Sequence, residues 1–560
     1  MKLSSLQRFA ALVLVAAAGS PAHLRAGAAP VTENPVALSA EHRAAVERPR
    51  RIFFQYDPGD LKRKGGFGSD MKAVMDYVYD FASRPGSQID ALCIDISNEG
   101  VVYYRSKILR EIAHPGLMKW REEGLDFFAH LTAEGRRRGK EVWWGLRMNE
   151  IERGDLVGYD PAASYADYTQ RNPVKAAHPD WLIRSWWWQG FWNYAHPEVR
   201  AYRLAVIREV VDQYDFDGVH LDFLRHTPHL PPGRQWELRE HLTRFLTDVR
   251  ALLQARAAAR GRPFLLAARV PDSVEGCRTD GLDIATWARR GLVDVLVLGT
   301  RTINIDVASF RAAVAGAPVK LLPSFDSFHA TDGYHGVQSM DLLRGVFGNY
   351  LHQGADGVGI FNNPAGSPEK ARAFGLVMNT SFDPEIVTTV GSLATIGGKP
   401  RYYPLDRRGG YAHVEGYGSA NYNAPLPVTL RHDGSSAALT LPIWEPIGAD
   451  AKATLRVVLF QHAEADEVRA SLNGSALIRQ TVDTGWKDDR LFAPALQPET
   501  VTPGALNRNL DTQRLTRVEF PVPASVLRTG RNHLELSVDR RGPFPASRAV
   551  RVEKVELHMK

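Results

Sequence analysis

The feature that most restricts the fold is a regular alternation of short apolar runs with helical patterns between about residues 50 and 370. Eight runs have the length and composition of β-strands: Ile52–Tyr56, Ile89–Ile96, Glu141–Leu146, Phe216–Asp222, Phe264–Val270, Val293–Leu298, Val319–Leu322 and Gly357–Phe361. Strands that are separated by helical patterns form parallel βαβ units. Eight such units in succession predict an α/β fold of the (β/α)8 TIM-barrel type.

A second domain is predicted from about residue 420, where the pattern changes. Short alternating runs such as Leu455–Phe460 and Val468–Leu472 are separated by Gly, Asn and Asp turns, with no helical pattern between them. This pattern predicts an antiparallel β-sandwich over residues 420–560. The barrel domain then covers residues 49–375, and residues 376–419 form a connector.

The first residues have the pattern of an export signal. Lys2 and Arg8 precede the apolar run Phe9–Ala18, and small residues follow at positions 26–28. This order predicts a secretory signal peptide over residues 1–28 and an N-terminal lead over residues 29–48. No later run is long and apolar enough to span a membrane. We therefore expect an exported protein that is periplasmic or extracellular.

Composition argues against several classes of function. The net charge is +6, but basic residues are interleaved with acidic ones and form no stripe, so nucleic-acid binding is not expected. Cys93 and Cys277 are the only cysteines, which excludes a disulfide framework. No Cys or His spacing matches a zinc site. We expect neither a metal nor another cofactor, and no oligomeric state is predicted.

The segment Tyr214–His226, which reads YDFDGVHLDFLRH, carries the strongest functional signal. Strand alternation places Gly218, His220 and Asp222 on one face. In a TIM barrel, the inner face at the carboxyl end of a strand is where catalytic groups lie. Asp222 is therefore the expected catalytic carboxylate, with His220 beside it in the pocket. The alternative is that Asp222 caps a helix or solvates a loop.

Three stretches carry a family resemblance. They are LRMNE at 146–150, the HPDWLI and NYAHPEVRAY segments within 178–202, and YDFDGVHLDFLRH at 214–226. Over about residues 50–370 the chain resembles the glycosyl hydrolase-like 10 family of bacterial exported barrel proteins. Asp222 is also similar to the nucleophile of alpha-amylase-type barrels, although His220 stands where those enzymes carry an arginine. The resemblance implies a TIM barrel that acts on carbohydrate.

The predicted sandwich carries a second, looser resemblance. Its stretch LRTGRNHLELSV at 527–538 is similar to accessory galactose-binding-like or jelly-roll domains that are attached to such hydrolases. The resemblance implies that this domain packs against the barrel or binds glycan.

Glycoside hydrolysis generally needs two carboxyl groups, so a partner for Asp222 is expected at a neighbouring strand end. Asp272 and Glu275 follow the fifth run, and we expect one of them to be the general acid. Glu150 and Asp326, at the ends of the third and seventh runs, are the alternatives. Any of these carboxylates can instead be a solvated loop residue.

Further polar and aromatic side chains near the strand ends are expected to bind sugar. Those predicted to contact the substrate are Arg147, Asn149, Glu150, His220, Arg225, His226, Asp326 and Asn362. The long segment after the third run also holds three consecutive tryptophans at 186–188, and Trp187 is expected to line the pocket. Arginines beside a buried aspartate are equally often structural partners, and loop tryptophans equally often anchor a cap onto the barrel.

The sequence thus predicts an exported glycoside hydrolase that acts on a poly- or oligosaccharide through paired carboxylates at the C-terminal face of a barrel. The alternative is a non-catalytic glycan-binding or cell-envelope protein on a barrel that has lost its chemistry. Both readings predict aromatic pocket walls. Only the enzyme requires two inward carboxyl groups within about 10 Å of each other.

Overall fold

The computed structural model of the protein describes residues 35–59, 61, 66–95, 101–111, 114–149, 172–185, 190–299, 301–327, 333–334, 337–376, 382–407, 424–431, 434–488, 490–491, 515–539 and 549–560. The strands of its first part are β1 (Ile52–Tyr56), β2 (Ile89–Asp95), β3 (Val101–Val102), β4 (Arg110–Glu111), β5 (Glu141–Arg147), β6 (Leu182–Ile183), β7 (Phe191–Trp192), β8 (Gly218–Asp222), β9 (Leu265–Val270), β10 (Val295–Leu298), β11 (Lys320–Phe325) and β12 (Val358–Phe361). Eight of them close into a parallel barrel in the order β1–β12–β11–β10–β9–β8–β5–β2. The predicted TIM barrel is confirmed.

Most of the helices follow barrel strands and cover their outer faces, whereas the first one precedes β1. They are Ala40–Glu47, Met71–Val78, Asp80–Ser83, Pro115–Glu122, Phe127–Arg137, Pro173–Ala177, Pro197–Gln213, Glu240–Arg260, Val274–Thr279, Ile284–Arg289, Val307–Ala313, Met340–His352, Pro368–Arg372, Glu385–Thr389 and Leu393–Ile396. Their apolar sides pack with the outward residues of the strands in one large core. In β8, for example, Val219 and Leu221 belong to this core, because strand alternation turns them away from the barrel interior.

The inner face of the barrel is apolar near the beginnings of the strands. The side chains that fill it include Phe53, Ala91, Cys93, Trp143, Leu265, Ala267, Val295, Val297 and Leu322. The Trp143 ring takes the space above Gly218, where an added Cβ would lie 2.4 Å from indole atoms. Ala45 and Val46 of the helix Ala40–Glu47 join the same cluster. Part of the predicted N-terminal lead is thus a helix that packs against the barrel interior.

The C-terminal part is built from two antiparallel sheets. Its strands are β13 (Arg401–Pro404), β14 (Val428–Leu430), β15 (Ala437–Ile443), β16 (Ala453–Phe460), β17 (Glu467–Leu472), β18 (Ser475–Leu477), β19 (Thr481–Trp486), β20 (Leu515–Val522), β21 (Gly530–Asp539) and β22 (Val550–Met559). One sheet has the order β13–β22–β16–β20–β19 with β14 also paired to β22, and the other has the order β15–β21–β17–β18. Apolar residues of both sheets form a common core. The first sheet begins at Arg401, earlier than residue 420, where the sequence places the sandwich.

The helix Met340–His352 joins the barrel to the sheets. Its Gly345 lies so close to β13 that an added Cβ would be 1.9 Å from the carbonyl oxygen of Tyr402. The side chain of Asn349 donates to the Pro442 carbonyl at 2.9 Å and accepts from the Trp444 amide at 2.8 Å. Only a residue without a side chain fits at position 345, so this glycine sets the approach of the two parts.

The sequence also predicts a signal peptide and no membrane-spanning segment. The predicted signal peptide, residues 1–28, lies outside the described residues. Among the residues that are described, no helix has the length and apolar character needed to cross a membrane.

We expect Gly345→Ala to destabilise the protein by about 1–3 kcal/mol, since the new methyl group must push the Tyr402 backbone away. Gly348→Ala in the same helix is the matched control, because its Cβ would meet only Ile396 at an ordinary 3.5 Å. The control should be neutral or more stable by up to about 1 kcal/mol, the gain in helix propensity. Denaturant unfolding measures both. Equal effects of the two substitutions would refute the close approach.

Candidate active site

Charged side chains line the inner face of the barrel at the carboxyl ends of neighbouring strands. Asp95 ends β2, Arg147 ends β5, Asp222 ends β8, and Arg269 is the penultimate residue of β9. Arg147 is the register partner of Asp222, and Asp222 is the register partner of Arg269. All four are at least nine-tenths buried. The C-terminal end of the barrel is therefore a compact set of paired charges above an apolar interior.

Asp222 is held as an anion by Arg269. The Arg269 guanidinium donates to both carboxylate oxygens, at 2.8 and 2.5 Å, and the backbone amides of Leu224 and Arg225 donate to Oδ1 at 3.0 Å. Burial opposes ionisation, but Arg269, with smaller help from His220 and Arg147, outweighs it and lowers the pKa of Asp222 to about 2. This carboxylate is ionised at any ordinary pH.

Asp95 is the second inward carboxyl group, and it favours its proton. Oδ2 accepts from Nε of Arg147 at 3.0 Å, while Oδ1 is buried and has no hydrogen-bond partner within the described part of the chain. Burial raises the pKa of Asp95 to about 6, against the pull of Arg147 and with added repulsion from Asp57 and Asp222. Asp222 is therefore close to Asp95, and only β5 lies between their strands, β8 and β2.

Two further groups extend the site toward its edges. Asp57, just after β1, accepts from Nη2 of Arg147 at 3.0 Å, and 40% of its side chain is exposed. Asp326, just after β11, is fully buried and accepts from Nδ2 of Asn362 at 2.6 Å. Asn362 is half-buried, and it follows β12, the neighbour of β1, so the exposed part of the site lies at these two adjacent strand ends.

Backbone conformation is unusual at two positions beside these charges. His226 after β8 has a φ of 56°, and Asn362 after β12 has a φ of 60°. Both values lie in the left-handed region, which side chains other than glycine seldom adopt. Such positions concentrate at functional sites, where the surrounding structure compensates for the strain.

His220 lies beneath Asp222 and is fully enclosed. Its ring packs 5.8 Å from that of Phe53, and neither ring nitrogen has a hydrogen-bond partner among the described residues. Burial lowers the pKa of His220 to about 4, so the imidazole is neutral near pH 7. With no exposed surface, it influences Asp222 from below and does not reach the solvent side of the site.

Asn149 is also fully buried, and it connects loops. Its Nδ2 donates to the Pro228 carbonyl at 2.8 Å and lies 3.0 Å from Nδ1 of His229, while Oδ1 accepts from the Trp192 amide at 2.9 Å. Both polar atoms of the amide are therefore occupied inside the protein. In this structure Asn149 fixes the segment after β8 against β7. Arg225 and His226, in that segment, are half-buried at the mouth of the barrel.

The two carboxyls expected after the fifth strand lie in other surroundings. Asp272 is half-buried, and burial raises its pKa to about 6 against the opposing hydrogen bonds from Thr302 and Ser273. Its charge acts on Tyr350 and Asp406, toward the sandwich side of the barrel. Glu275 is exposed in the first turn of the helix Val274–Thr279.

The long segment after β5 contains the remaining residues that were predicted to bind sugar, and its tryptophans differ in burial. Glu150 and the tryptophans at 186–188, including Trp187, lie outside the described residues. Trp181 is half-buried and stacks on His178 with ring centroids 3.8 Å apart. Trp192 is fully buried against Tyr202, so it belongs to the core of this segment.

Sequence reasoning missed Asp95 and Arg269. Asp95 was within the predicted second strand, and Arg269 is a lone charge in the apolar run LLAARV. The alternation that turns Asp222 inward also turns these two inward, because they follow Cys93 and Ala267 of the interior cluster by two positions. Strand alternation, applied to β2 and β9 as it was to β8, predicts from the sequence that both side chains point inward.

No cluster of three or more His, Cys, Asp or Glu side chains with the arrangement of a metal site occurs in the described ranges. The site chemistry available from these residues is that of carboxyl groups and guanidinium groups.

One family profile matches a part of the barrel that includes the candidate site. The family profile described as Glycosyl hydrolase-like 10 matches residues 75–236, a stretch that contains both Asp95 and Asp222. The resemblance seen in the sequence is confirmed over this stretch, which is similar to that family. No protein with a curated description matches the sequence.

Several solved structures are remotely similar to this chain. The glycoside hydrolase domain of PgaB (BpsB) from Bordetella bronchiseptica is 13% identical, covers 60% of this chain and all of its own, and has a TM-score of 0.37. The alpha-galactosidase TtGalA from Thermus thermophilus is 15% identical over 61% of this chain and 66% of its own, with a TM-score of 0.34. The glycoside hydrolase domain of PelA from Pseudomonas aeruginosa is 11% identical over 50% and 85%, with a TM-score of 0.27.

We expect Asp95→Asn to stabilise the protein above pH 6 and to have little effect at pH 4. The pKa of Asp95 in the folded state, about 6, is above the unfolded value near 3.8, so the folded state binds more protons between these limits. The unfolding free energy of the wild type therefore falls as pH rises from 4 to 6, by up to about 3 kcal/mol, and then stays level. A neutral amide avoids this loss.

Denaturant unfolding at pH 4, 6 and 8 measures the difference. Asp57→Asn is the control, because this carboxylate contacts the same arginine but is partly exposed and should change stability by less than about 1 kcal/mol. If Asp95→Asn and wild type have parallel pH profiles, the proton is not on Asp95.

Proposed function

We propose that the protein is an exported glycoside hydrolase that cleaves a poly- or oligosaccharide at the C-terminal end of its barrel. The observation that carries this proposal is the pair of inward carboxyl groups with separated proton affinities, about 6 for the pKa of Asp95 and about 2 for that of Asp222. Environments that push two such pKa values apart define an acid and an anion at one site. Hydrolysis of a glycosidic bond needs that combination.

In the proposed mechanism, Asp95 is the general acid. Its Oδ1 has no partner in the described structure and its pKa keeps the proton on the group in mildly acidic solution. Arg147 holds Oδ2 and thereby orients the group, which donates its proton to the glycosidic oxygen as the bond breaks. Loss of the proton leaves a carboxylate that Arg147 stabilises, and this carboxylate then accepts a proton from the attacking water.

Asp222 supplies negative charge to the developing oxocarbenium ion. Its pKa near 2 and its bidentate contact with Arg269 favour electrostatic stabilisation over nucleophilic attack, because a strongly paired carboxylate is a weak nucleophile. Asp57, Asn362, Arg225 and His226 are the proposed contacts for sugar hydroxyl groups, and the fully buried Asp326 orients Asn362. Asp272 is the second candidate for the acid, because its pKa is also raised to about 6.

The test compares wild type with Asp95→Asn, Asp222→Asn and Asp272→Asn in the release of reducing sugar from a panel of polysaccharides. We expect Asp95→Asn to be slower by about 10²–10⁴-fold on the glycan, the usual contribution of a general acid. On an aryl glycoside of the released sugar, whose phenol leaves without protonation, Asp95→Asn should recover most of the rate of the bond-breaking step, measured as the initial release of phenol. Asp222→Asn should be slow on both substrates, and Asp272→Asn close to wild type on both.

If Asp272→Asn, and not Asp95→Asn, is slow on the glycan but fast on the aryl glycoside, the general acid is Asp272. A wild type that binds a glycan saturably but releases no sugar would overturn the hydrolase and favour the non-catalytic glycan-binding alternative.

The pH profile is an independent prediction. Since Asp95 must be protonated and Asp222 ionised, kcat/KM on the glycan should be highest below about pH 6 and fall about tenfold per pH unit above that value. The lower limb, set by Asp222, should lie near pH 2. Rates measured from pH 3 to 9 check this, and a profile that is flat up to pH 9 would exclude Asp95 as the acid.

A further inference from the structure

A second, cationic cleft lies at the opposite end of the barrel from Asp222. It has a volume of about 650 Å³ and is bordered by residues at or just before the beginnings of five barrel strands. Its lining residues are Arg48, Pro49, Arg51, Asp90, Arg136, Gly139, Lys140, Glu141, Asp217 and Arg262. In TIM barrels this end usually serves stability, so an open cleft with this many charges calls for an explanation.

Each carboxylate in the lining already accepts hydrogen bonds from an arginine. Asp90 accepts from Arg51 at 2.7 and 2.9 Å, and Asp217 accepts from Arg262 at 2.7 Å. Glu141 accepts from the buried Arg50, just behind the cleft, at 2.7 and 2.9 Å. These pairs leave no negative charge for the remaining cations of the lining.

The remaining cations are undercompensated. Arg136 shares Asp215 with Arg260 and Arg262, so that one carboxylate faces three guanidinium groups. Arg48 is 59% exposed and reaches Glu141 only at 3.6 Å. Around the cleft, seven cationic side chains (Arg48, Arg50, Arg51, Arg136, Lys140, Arg260 and Arg262) face four carboxylates (Asp90, Glu141, Asp215 and Asp217), which leaves three positive charges over.

Lys140 is the central group of this cleft. Its ammonium donates to the Ile89 carbonyl at 2.7 Å, and no carboxylate of the described residues forms an ion pair with it. The charges that act on it are those of Asp90 and Arg51, which already bind each other. Two of its three N–H donors are left for a ligand. Partial burial of an ammonium group without an ion-pair partner costs free energy, and a bound anion would offset this cost.

We propose that this cleft binds the phosphate group of a phosphorylated sugar or of a phospholipid headgroup. Three excess positive charges match a phosphate dianion better than a single carboxylate, and guanidinium groups bind phosphate oxygens in bidentate geometry. The volume leaves room for the molecule that carries the phosphate. This site is separate from the carboxyl pair, so it is a second binding site and not a part of the proposed hydrolysis.

The test measures binding of glycerol 3-phosphate and glucose 6-phosphate to the purified protein by titration calorimetry, and sedimentation with phosphatidylglycerol vesicles. We expect saturable binding that weakens as salt is added. Lys140→Met should weaken it at least about tenfold, the value of one charge-assisted hydrogen bond. Lys72→Met is the matched control, because Lys72 is an exposed lysine paired with Asp76 on another face and should not change binding.

Arg48→Gln provides a second variant that cannot fail through misfolding, since its side chain is mostly exposed, and it should also weaken binding. Binding of the soluble esters without vesicle sedimentation would identify a phosphorylated sugar, and sedimentation that is lost in Lys140→Met would identify a lipid headgroup. Absence of saturable binding in the wild type, or equal affinity in Lys140→Met and wild type, would overturn the proposal. Release of reducing sugar should be the same in all three variants, which separates this test from that of the carboxyl pair.

Discussion

Two buried arginine–aspartate pairs at the mouth of the barrel constrain the rest of the structure. Arg269 binds Asp222, and Arg147 binds Asp95, all on side chains that are almost fully removed from water. A single buried charge costs several kcal/mol, so each of these groups requires its partner. The strand register that makes Arg147, Asp222 and Arg269 neighbours therefore also makes their burial tolerable, and a shifted register would separate them.

The same pairs are unequal, and this inequality gives the site its chemical character. Asp222 receives a bidentate guanidinium contact and two backbone amides, whereas Asp95 receives one guanidinium contact and keeps an oxygen without a partner in the described structure. Two identical side chains thus differ in proton affinity by several orders of magnitude. Burial raises the pKa of Asp95, so the ionised form of this carboxyl group lowers stability near neutral pH, and proteins commonly give up stability in this way for activity.

The two ends of the barrel differ in the balance of their charges. At the C-terminal end, carboxyl groups are paired with just enough arginine to be buried, while at the opposite end arginine and lysine exceed the carboxylates. The sandwich supports the first end: Asp406, which follows β13, accepts from the Ile303 and Asn304 amides at 2.8 Å. It thereby holds the loop after β10, which lies beside Asp272. The C-terminal sheets thus help to shape the barrel end that carries the candidate site.

The sequence by itself determined the eight barrel strands, to within about three residues at each end, and the inward face of Asp222. Both follow from local period and alternation, which depend only on neighbours along the chain. Only the tertiary structure decided that Asp95 is the carboxyl group beside Asp222 and that Arg269 neutralises Asp222. It also decided that the side chain of Asn149 forms its hydrogen bonds inside the protein. Which charges meet inside a barrel depends on strand order and register, and these are set by contacts between residues far apart in the chain.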